Sequence, residues 1–311
     1  MRAVVVDPNV EGRLKVADVE APEPGFSEAL VRVKAVSLNR GEIRAAMGAG
    51  AGHRPGWDVA GTVEREAADG SGPRVGSRVF GFMPKQGGWA EFAAVSTNAL
   101  AEIPDGVSFE DASTLPVAGI TALRCLERGG LLTERTVMIS GASGGVGIFA
   151  CQIARSVGAR VVGVVHRAES EAAARAAGAQ EVVVGEDLEA ARKFGPYNLI
   201  VDSVGGAVLG QALAMLAKGG TCVVFGATGG DEVTFDLRTF YNTGGASLQA
   251  FIVFYEHERD PVAGDLARLA GMLAEGRLRP HIDVRGTLDD VARIARLVTE
   301  RSMVGKAVLR V

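Results

Sequence analysis

Residues 140–147 read Ser-Gly-Ala-Ser-Gly-Gly-Val-Gly, between the apolar runs Thr136-Val137-Met138-Ile139 and Ile148-Phe149-Ala150-Cys151. Glycine loses the most backbone freedom on ordering, so four of them at a strand–helix seam need a reason. A turn placed there aims backbone N–H groups and the positive end of a helix dipole at whatever lies above the sheet. That arrangement binds anions. Ala142, Gly144 and Gly147 stand at the three spacings of a dinucleotide-binding turn, with alanine in place of the first glycine. Ser143, Gly145 and Val146 complete the loop. The competing reading is a plain structural turn of an α/β fold.

The second strand of this unit ends Val164-Val165-His166-Arg167. An NAD site carries an acid about 20 residues past the glycines, where it accepts from the ribose hydroxyls. No acid stands at this strand tip, and a guanidinium such as Arg167 pairs with a 2′-phosphate that a carboxylate would repel. The pattern predicts NADPH rather than NADH, against two alternatives: Glu169 lies just beyond, and Arg167 also fits an ordinary exposed loop.

The elements that must position these residues fall into two textures. Residues 1 to about 105 hold β-rich runs such as Val4-Val5-Val6, residues 30–36, 60–63 and 78–80, separated by Pro- and Gly-rich turns such as Pro22-Glu23-Pro24-Gly25. From about Ser108 onward, strand candidates (137–140, 160–165, 181–184, 199–202, 222–225, 248–254) alternate with helical patterns (146–157, 169–177, 187–193, 207–217). Near-continuously apolar strands separated by helices imply a parallel sheet covered on both faces.

The 311 residues are 47% hydrophobic and 23% charged with a net charge of −4, the composition of a soluble globular chain. No Lys/Arg run suggests nucleic acid or an anionic membrane as partner. The first apolar run stops at Asp7, which is short for a signal peptide, and no stretch reaches the roughly 20 apolar residues of a membrane span. A cytoplasmic protein is expected. Cys125, Cys151 and Cys222 are scattered in apolar surroundings and read as small buried hydrophobes.

Several further stretches carry a resemblance: Ser37-Leu38-Asn39-Arg40-Gly41-Glu42, Gly56-Trp57-Asp58-Val59-Ala60-Gly61, Gly87-Gly88-Trp89-Ala90-Glu91-Phe92, Leu115-Pro116-Val117-Ala118-Gly119-Ile120-Thr121, Asp202-Ser203-Val204-Gly205-Gly206 and Gly305-Lys306-Ala307-Val308-Leu309. With the glycine turn they make the chain resemble, over essentially its whole length, the zinc-free quinone oxidoreductases (zeta-crystallin-like) of the medium-chain dehydrogenase/reductase superfamily. The resemblance implies an α/β protein with a GroES-like β-rich catalytic domain (residues 1–107 and 258–311) and a Rossmann doubly wound parallel-sheet domain (108–257). It implies hydride transfer from NADPH to a quinone or α,β-unsaturated carbonyl. By family position Thr121 lies near the nicotinamide and Ser143 to Val146 hold the pyrophosphate. Phe225, Gly226, Ala227, Phe251, Ile252 and Val253 line the nicotinamide side, and Arg167 and Arg301 fall near the 2′-phosphate. At the zinc-ligand places of related alcohol dehydrogenases stand Asn39 and Trp57, which do not ligate zinc, so no metal is expected.

Hydride delivery to an enone puts negative charge on its oxygen, which calls for a donor. Asn39 is the candidate, with turn capping as its other reading. Arg44 stands where many relatives carry a tyrosine and could supply cationic stabilisation, its other reading being a solvated surface arginine; Tyr241 and Tyr255 serve only if the fold brings them close. Alternatives to the quinone or enone reductase are an enoyl-thioester reductase of the polyketide type and a non-enzymatic NADPH-binding protein. Residues 247–254 read as an uncharged, proline-free edge strand, which predicts a homodimer paired through it.

Overall fold

The structure, a computed structural model, describes residues 1–311. The chain divides into two compact units, residues 1–120 with 257–311 and residues 121–256.

The first unit opens with the ribbon β1 (Arg2–Val6) and β2 (Leu14–Asp18), followed by the long strand β3 (Glu28–Leu38). In β3, Val31 and Val33 turn inward while Arg32 and Lys34 stay exposed, the period of two that a half-solvated strand requires. Then come α1 (Arg40–Gly48), β4 (Asp58–Arg65), β5 (Arg78–Phe82), β6 (Phe92–Ser96), β7 (Leu100–Glu102) and α2 (Phe109–Ser113). Ser108 caps α2, its hydroxyl accepting from the Asp111 N–H at 3.0 Å. This helix packs on β3, β4 and β5, so residues 108–120 join the first unit instead of opening the second. The boundary therefore falls beyond residue 107.

The second unit carries α3 (Pro116–Glu127), β8 (Thr136–Ser140), α4 (Gly145–Ser156), β9 (Arg160–Val165), α5 (Glu171–Ala176), β10 (Glu181–Val184), β11 (Tyr197–Asp202), α6 (Gly206–Leu213), β12 (Leu216–Val224), α7 (Leu237–Asn242), β13 (Ser247–Ala250) and α8 (Val253–Arg259), α3 and α8 crossing its two limits. All six strands run parallel in the order β10-β9-β8-β11-β12-β13. Strand order reverses between β8 and β11, so a crevice opens at their carboxyl ends, where doubly wound sheets bind nucleotides. Met138, Val162, Ile200 and Cys222 lie in the buried core of this sheet. All three cysteines are free and buried, and burial pushes the Cys151 thiol up to about 12, so it is inert.

The last strand of this sheet is shorter than its apolar run implies. β13 ends at Ala250; Phe251 and Val253 turn into the core, Ile252 faces out, and the chain is helical from Val253. Arg128 fixes that turn by stacking on the Phe251 ring at 5.3 Å and pairing with Glu256 at 2.8 Å.

The chain returns to the first unit with α9 (Ala263–Ala274), β14 (Ile282–Thr287), α10 (Val291–Thr299) and β15 (Lys306–Arg310). β15 inserts between β14 and β3, pairing antiparallel with β3 through Ala307–Leu38 and Leu309–Val36. The sheet so completed runs β14-β15-β3-β4-β5-β7, with β6 also on β3. Its core gathers Val31, Val36, Val59, Trp89, Ile294 and Leu309 from both ends of the chain. No helix is long and apolar enough to cross a membrane.

Candidate active site

The glycine turn sits between β8 and α4, at the crevice. Gly141 takes the left-handed conformation (φ +65°) that a side chain would strain, and a Cβ there would meet Ser203 Oγ at 2.4 Å. The tight turn is thus carried by Gly141; Ala142 is buried behind it, its N–H donating to Val164 O at 3.0 Å. Gly147 permits the close approach of helix to turn, since a Cβ there would stand 2.1 Å from Gly141 O. The N–H groups of Ser143, Gly145, Val146 and Gly147 have no acceptor in the chain. Four free donors at a helix N-terminus match the oxygens of a pyrophosphate, so the turn fits a nucleotide cofactor.

Neighbouring strand tips support that turn. Ser140 Oγ, at the end of β8, donates to Asp202 Oδ1 at 2.5 Å, and the other oxygen of this carboxylate accepts from the Gly205 N–H at 2.7 Å. Burial raises the Asp202 carboxyl above its ordinary range, and the Ser140 and Gly205 contacts oppose that shift. Ser203 donates through its N–H to Ser140 Oγ at 2.9 Å, which ties the ends of β8 and β11 together. Phe225 donates its N–H to Asp202 O at 2.9 Å, and Gly226 lies against Ser203. Phe251 follows β13 with its N–H on Val224 O at 2.9 Å. The turn, Phe225 to Ala227 and Phe251 thus all lie along the carboxyl edge of the sheet, while Thr121 is buried on α3. Beyond β9, Arg167 is exposed and makes no hydrogen bond or ion pair. Its neighbour His166 faces Glu186 at 3.4 Å. Gly185, with φ +106° and open space around it, leaves room at the adjacent tip of β10.

The first unit holds a different arrangement, a buried polar cluster beneath α1. Asp58, at the start of β4, accepts from Ser37 Oγ at 2.6 Å, Asn39 Nδ2 at 2.7 Å and the Val117 N–H at 2.9 Å. Lys306 Nζ, on β15, donates to Asn39 Oδ1 at 2.6 Å and to Leu38 O at 3.1 Å, and stands 3.4 Å from Asp58 Oδ2. Glu42 reaches back from α1 to accept from the Asn39 N–H at 2.6 Å, from Asn39 Nδ2 at 3.0 Å and from the Trp57 N–H at 2.6 Å. Burial first, then the charge of Asp58, pushes the Glu42 carboxyl up to about 8, against the pull of Lys306 and the backbone donors.

This cluster changes the expected role of Asn39. Both of its amide hydrogens go to Glu42 and Asp58 and its oxygen takes Lys306, so it frames the site and has no free N–H for a substrate oxygen. Arg44 is exposed one turn further along α1, and Arg301 follows α10 in this same unit. Tyr241 and Tyr255 are exposed on the second unit. Sequence reasoning passed over Glu42, Asp58, Lys306, Ser140 and Asp202 as functional groups. The available signal was an ionisable residue at the end of an otherwise apolar strand, as in Lys306-Ala307-Val308-Leu309 and Leu199-Ile200-Val201-Asp202.

A GroES-like β-rich unit joined to a doubly wound parallel sheet with an anion-binding turn defines a two-domain dehydrogenase or reductase. Residues 25–105 match the alcohol dehydrogenase GroES-like domain, and residues 145–268 match the zinc-binding dehydrogenase family. The chain is 30% identical to the quinone oxidoreductase of Mus musculus over 70% of each chain. It is 27% identical to the acryloyl-coenzyme A reductase of Sulfurisphaera tokodaii over 100% of each. A mycobacterial protein solved in complex with NADPH superposes over 100% of both chains with a TM-score of 0.86 at 26% identity. The chain belongs to the medium-chain dehydrogenase/reductase superfamily, in its quinone oxidoreductase branch, and is an oxidoreductase. The zinc named in one of these family descriptions finds no ligand set: no three His, Cys, Asp or Glu side chains are grouped to hold a metal, and Asn39 and Trp57 are not zinc donors.

Proposed function

We propose that the protein transfers hydride from NADPH to a quinone or an α,β-unsaturated carbonyl without zinc. The observation that carries this reading is the turn with four unengaged N–H groups, followed at the next strand tip by an unpaired Arg167. When bound, the nicotinamide supplies the hydride. The chain's own work is to hold and orient: Ser143 to Gly147 take the pyrophosphate, Arg167 takes the 2′-phosphate, and Thr121, Phe225 to Ala227 and Phe251 to Val253 flank the nicotinamide. The mycobacterial relative solved with NADPH supports the cofactor assignment. Because Asn39 is fully engaged, an acceptor whose reduced form is a weak base suits the site, and a quinone meets that demand.

Titration of cofactor fluorescence tests the cofactor. NADPH is expected to bind at least about tenfold more tightly than NADH, the worth of one charge-assisted pair. Arg167→Ala should shrink that gap, and equal affinities in the parent protein would reject the assignment. A panel of ortho-quinones, simple enones and crotonyl-CoA tests the acceptor. The thioester belongs in the panel because full-length similarity to an acryloyl-coenzyme A reductase favours that second reading. A homodimer through the uncharged edge strand β13 completes the proposal; Leu248 on it is 43% exposed.

A further inference from the structure

Arg40 and Arg44 stand one turn apart on the same face of α1, and neither side chain has a hydrogen-bonding or carboxylate partner in the chain. The position is unfavourable for cations in three ways. Arg40 occupies the first helical turn, where the dipole repels positive charge. Arg44 adds a like charge at the i+4 position. α10 packs on α1, and Arg301 just beyond it brings a third guanidinium to Arg40. Partial burial, then Arg301 and Arg44, hold the Arg40 guanidinium below its ordinary value. The acid nearest in sequence, Glu42, is buried and already accepts from Asn39 and Trp57. The arginines of α10 are treated differently: Arg293 meets Asp290 at 3.0 Å and Arg296 faces Glu11 at 3.8 Å. Beside the first cluster lies the Trp57 indole, so close over Gly41 that a Cβ there would stand 3.0 Å from two of its ring carbons.

A group of guanidiniums without a counter-ion in the chain matches a site whose counter-ion is the ligand. Three of them exceed what one carboxylate neutralises and suit a phosphate. We infer that Arg40, Arg44 and Arg301 bind a phosphate of the substrate, and that the acceptor is an enoyl thioester on a phosphorylated carrier of the coenzyme A type. This rests on the reductase reading above and narrows its substrate class. In the reaction the thioester's β-carbon gains hydride, its C=C π bond breaks, and the α-carbon takes a proton from water, while NADPH becomes NADP⁺.

The test compares crotonyl-CoA with crotonyl-N-acetylcysteamine, the same enoyl thioester without phosphate, in the parent protein and in Arg40→Ala at saturating NADPH. The ratio of kcat/KM for crotonyl-CoA to that for the short thioester should fall about tenfold, the worth of one charge-assisted contact. Calorimetric binding of coenzyme A alone should weaken by a similar factor, and Arg40→Lys should restore part of both. Thermal melting of Arg40→Ala should not fall, because the substitution relieves repulsion. Equal losses for both thioesters, or a parent protein indifferent to the phosphates, would overturn the proposal. A rise in the NADPH dissociation constant with no change for coenzyme A would assign the arginines to the cofactor and overturn it too. Reduction of quinones but of neither thioester would reject the substrate class and leave the reductase reading standing. If nothing at all is reduced, the reductase reading fails, and coenzyme A binding still decides the phosphate site.

Discussion

Replacing Lys306 with methionine keeps the aliphatic stem and deletes the charge beneath α1. Lys306 and Asp58 are 4% and 0% exposed, and their 3.4 Å contact lies among groups that have no other cation. Removing one member of such a buried pair costs about 3–5 kcal/mol, because the other is left uncompensated in low dielectric. The Asn39 and Leu38 oxygens lose a donor as well, which holds the cost at the upper end of that range. A domain stability of about 5–15 kcal/mol makes this a large fraction of the total. At roughly 2–4 °C per kcal/mol, melting should fall by about 10 °C. Tryptophan fluorescence during urea denaturation is the assay of choice, because the chain's two tryptophans, Trp57 and Trp89, both belong to the first unit. The double variant Lys306→Met/Asp58→Asn removes the orphaned acid and should recover at least half of the loss. A single variant costing under about 1 kcal/mol, or a double variant whose losses simply add, would refute the account of the cluster.

Glu42 holds its proton to about 8 when folded, against 4.5 as the reference value, so the folded chain binds the extra proton between those limits and stability falls as pH rises through them. The slope from this group is at most about 1.4 kcal/mol per pH unit; Glu42→Gln should flatten it, and parallel stability curves for the two proteins would refute it. Gly147→Ala drives a Cβ to 2.1 Å from Gly141 O and should weaken NADPH binding by about tenfold or more in a fluorescence titration; unchanged affinity would mean the turn is not the pyrophosphate site. Leu248→Lys on the exposed edge of β13 should give monomers in sedimentation where the parent chain is dimeric, and a parent monomer at micromolar concentration would dispose of the dimer. Elemental analysis of the purified protein should find no stoichiometric zinc, and activity should survive a chelator.

The second unit was the more legible half. Its strands are apolar throughout and its glycines punctuate a single crossover, so period and turn chemistry pointed to the same elements. The overlong reading of residues 247–254 shows the limit. Phe251, Ile252 and Val253 are as apolar as a strand requires, and only Arg128, more than a hundred residues earlier, turns them into a helix start. The first unit was harder because its decisive contacts are non-local. Nothing near Asn39 in sequence announces that its amide is spent on Asp58 and Lys306, and the partner of Asp58 lies at the far end of the chain. The capping reading of Asn39 was legible from its neighbour Glu42; the engagement of its amide was not.

β15 reaches the sheet late in time as well as in sequence. Lys306 follows Asp58 by 248 residues, and at about 5–20 residues per second a ribosome needs on the order of ten seconds or more to bridge that interval. Until it does, β3 lacks its β15 neighbour, and Asp58 and Glu42 have no base to be buried with. The second unit, made wholly from the intervening residues, has every strand it needs in that interval. Folding of the first unit is therefore a proofreading step on translation. A chain that stops before residue 306 presents two acids where the finished protein has a closed core, and such a chain is open to proteolysis while its nucleotide-binding half is already complete.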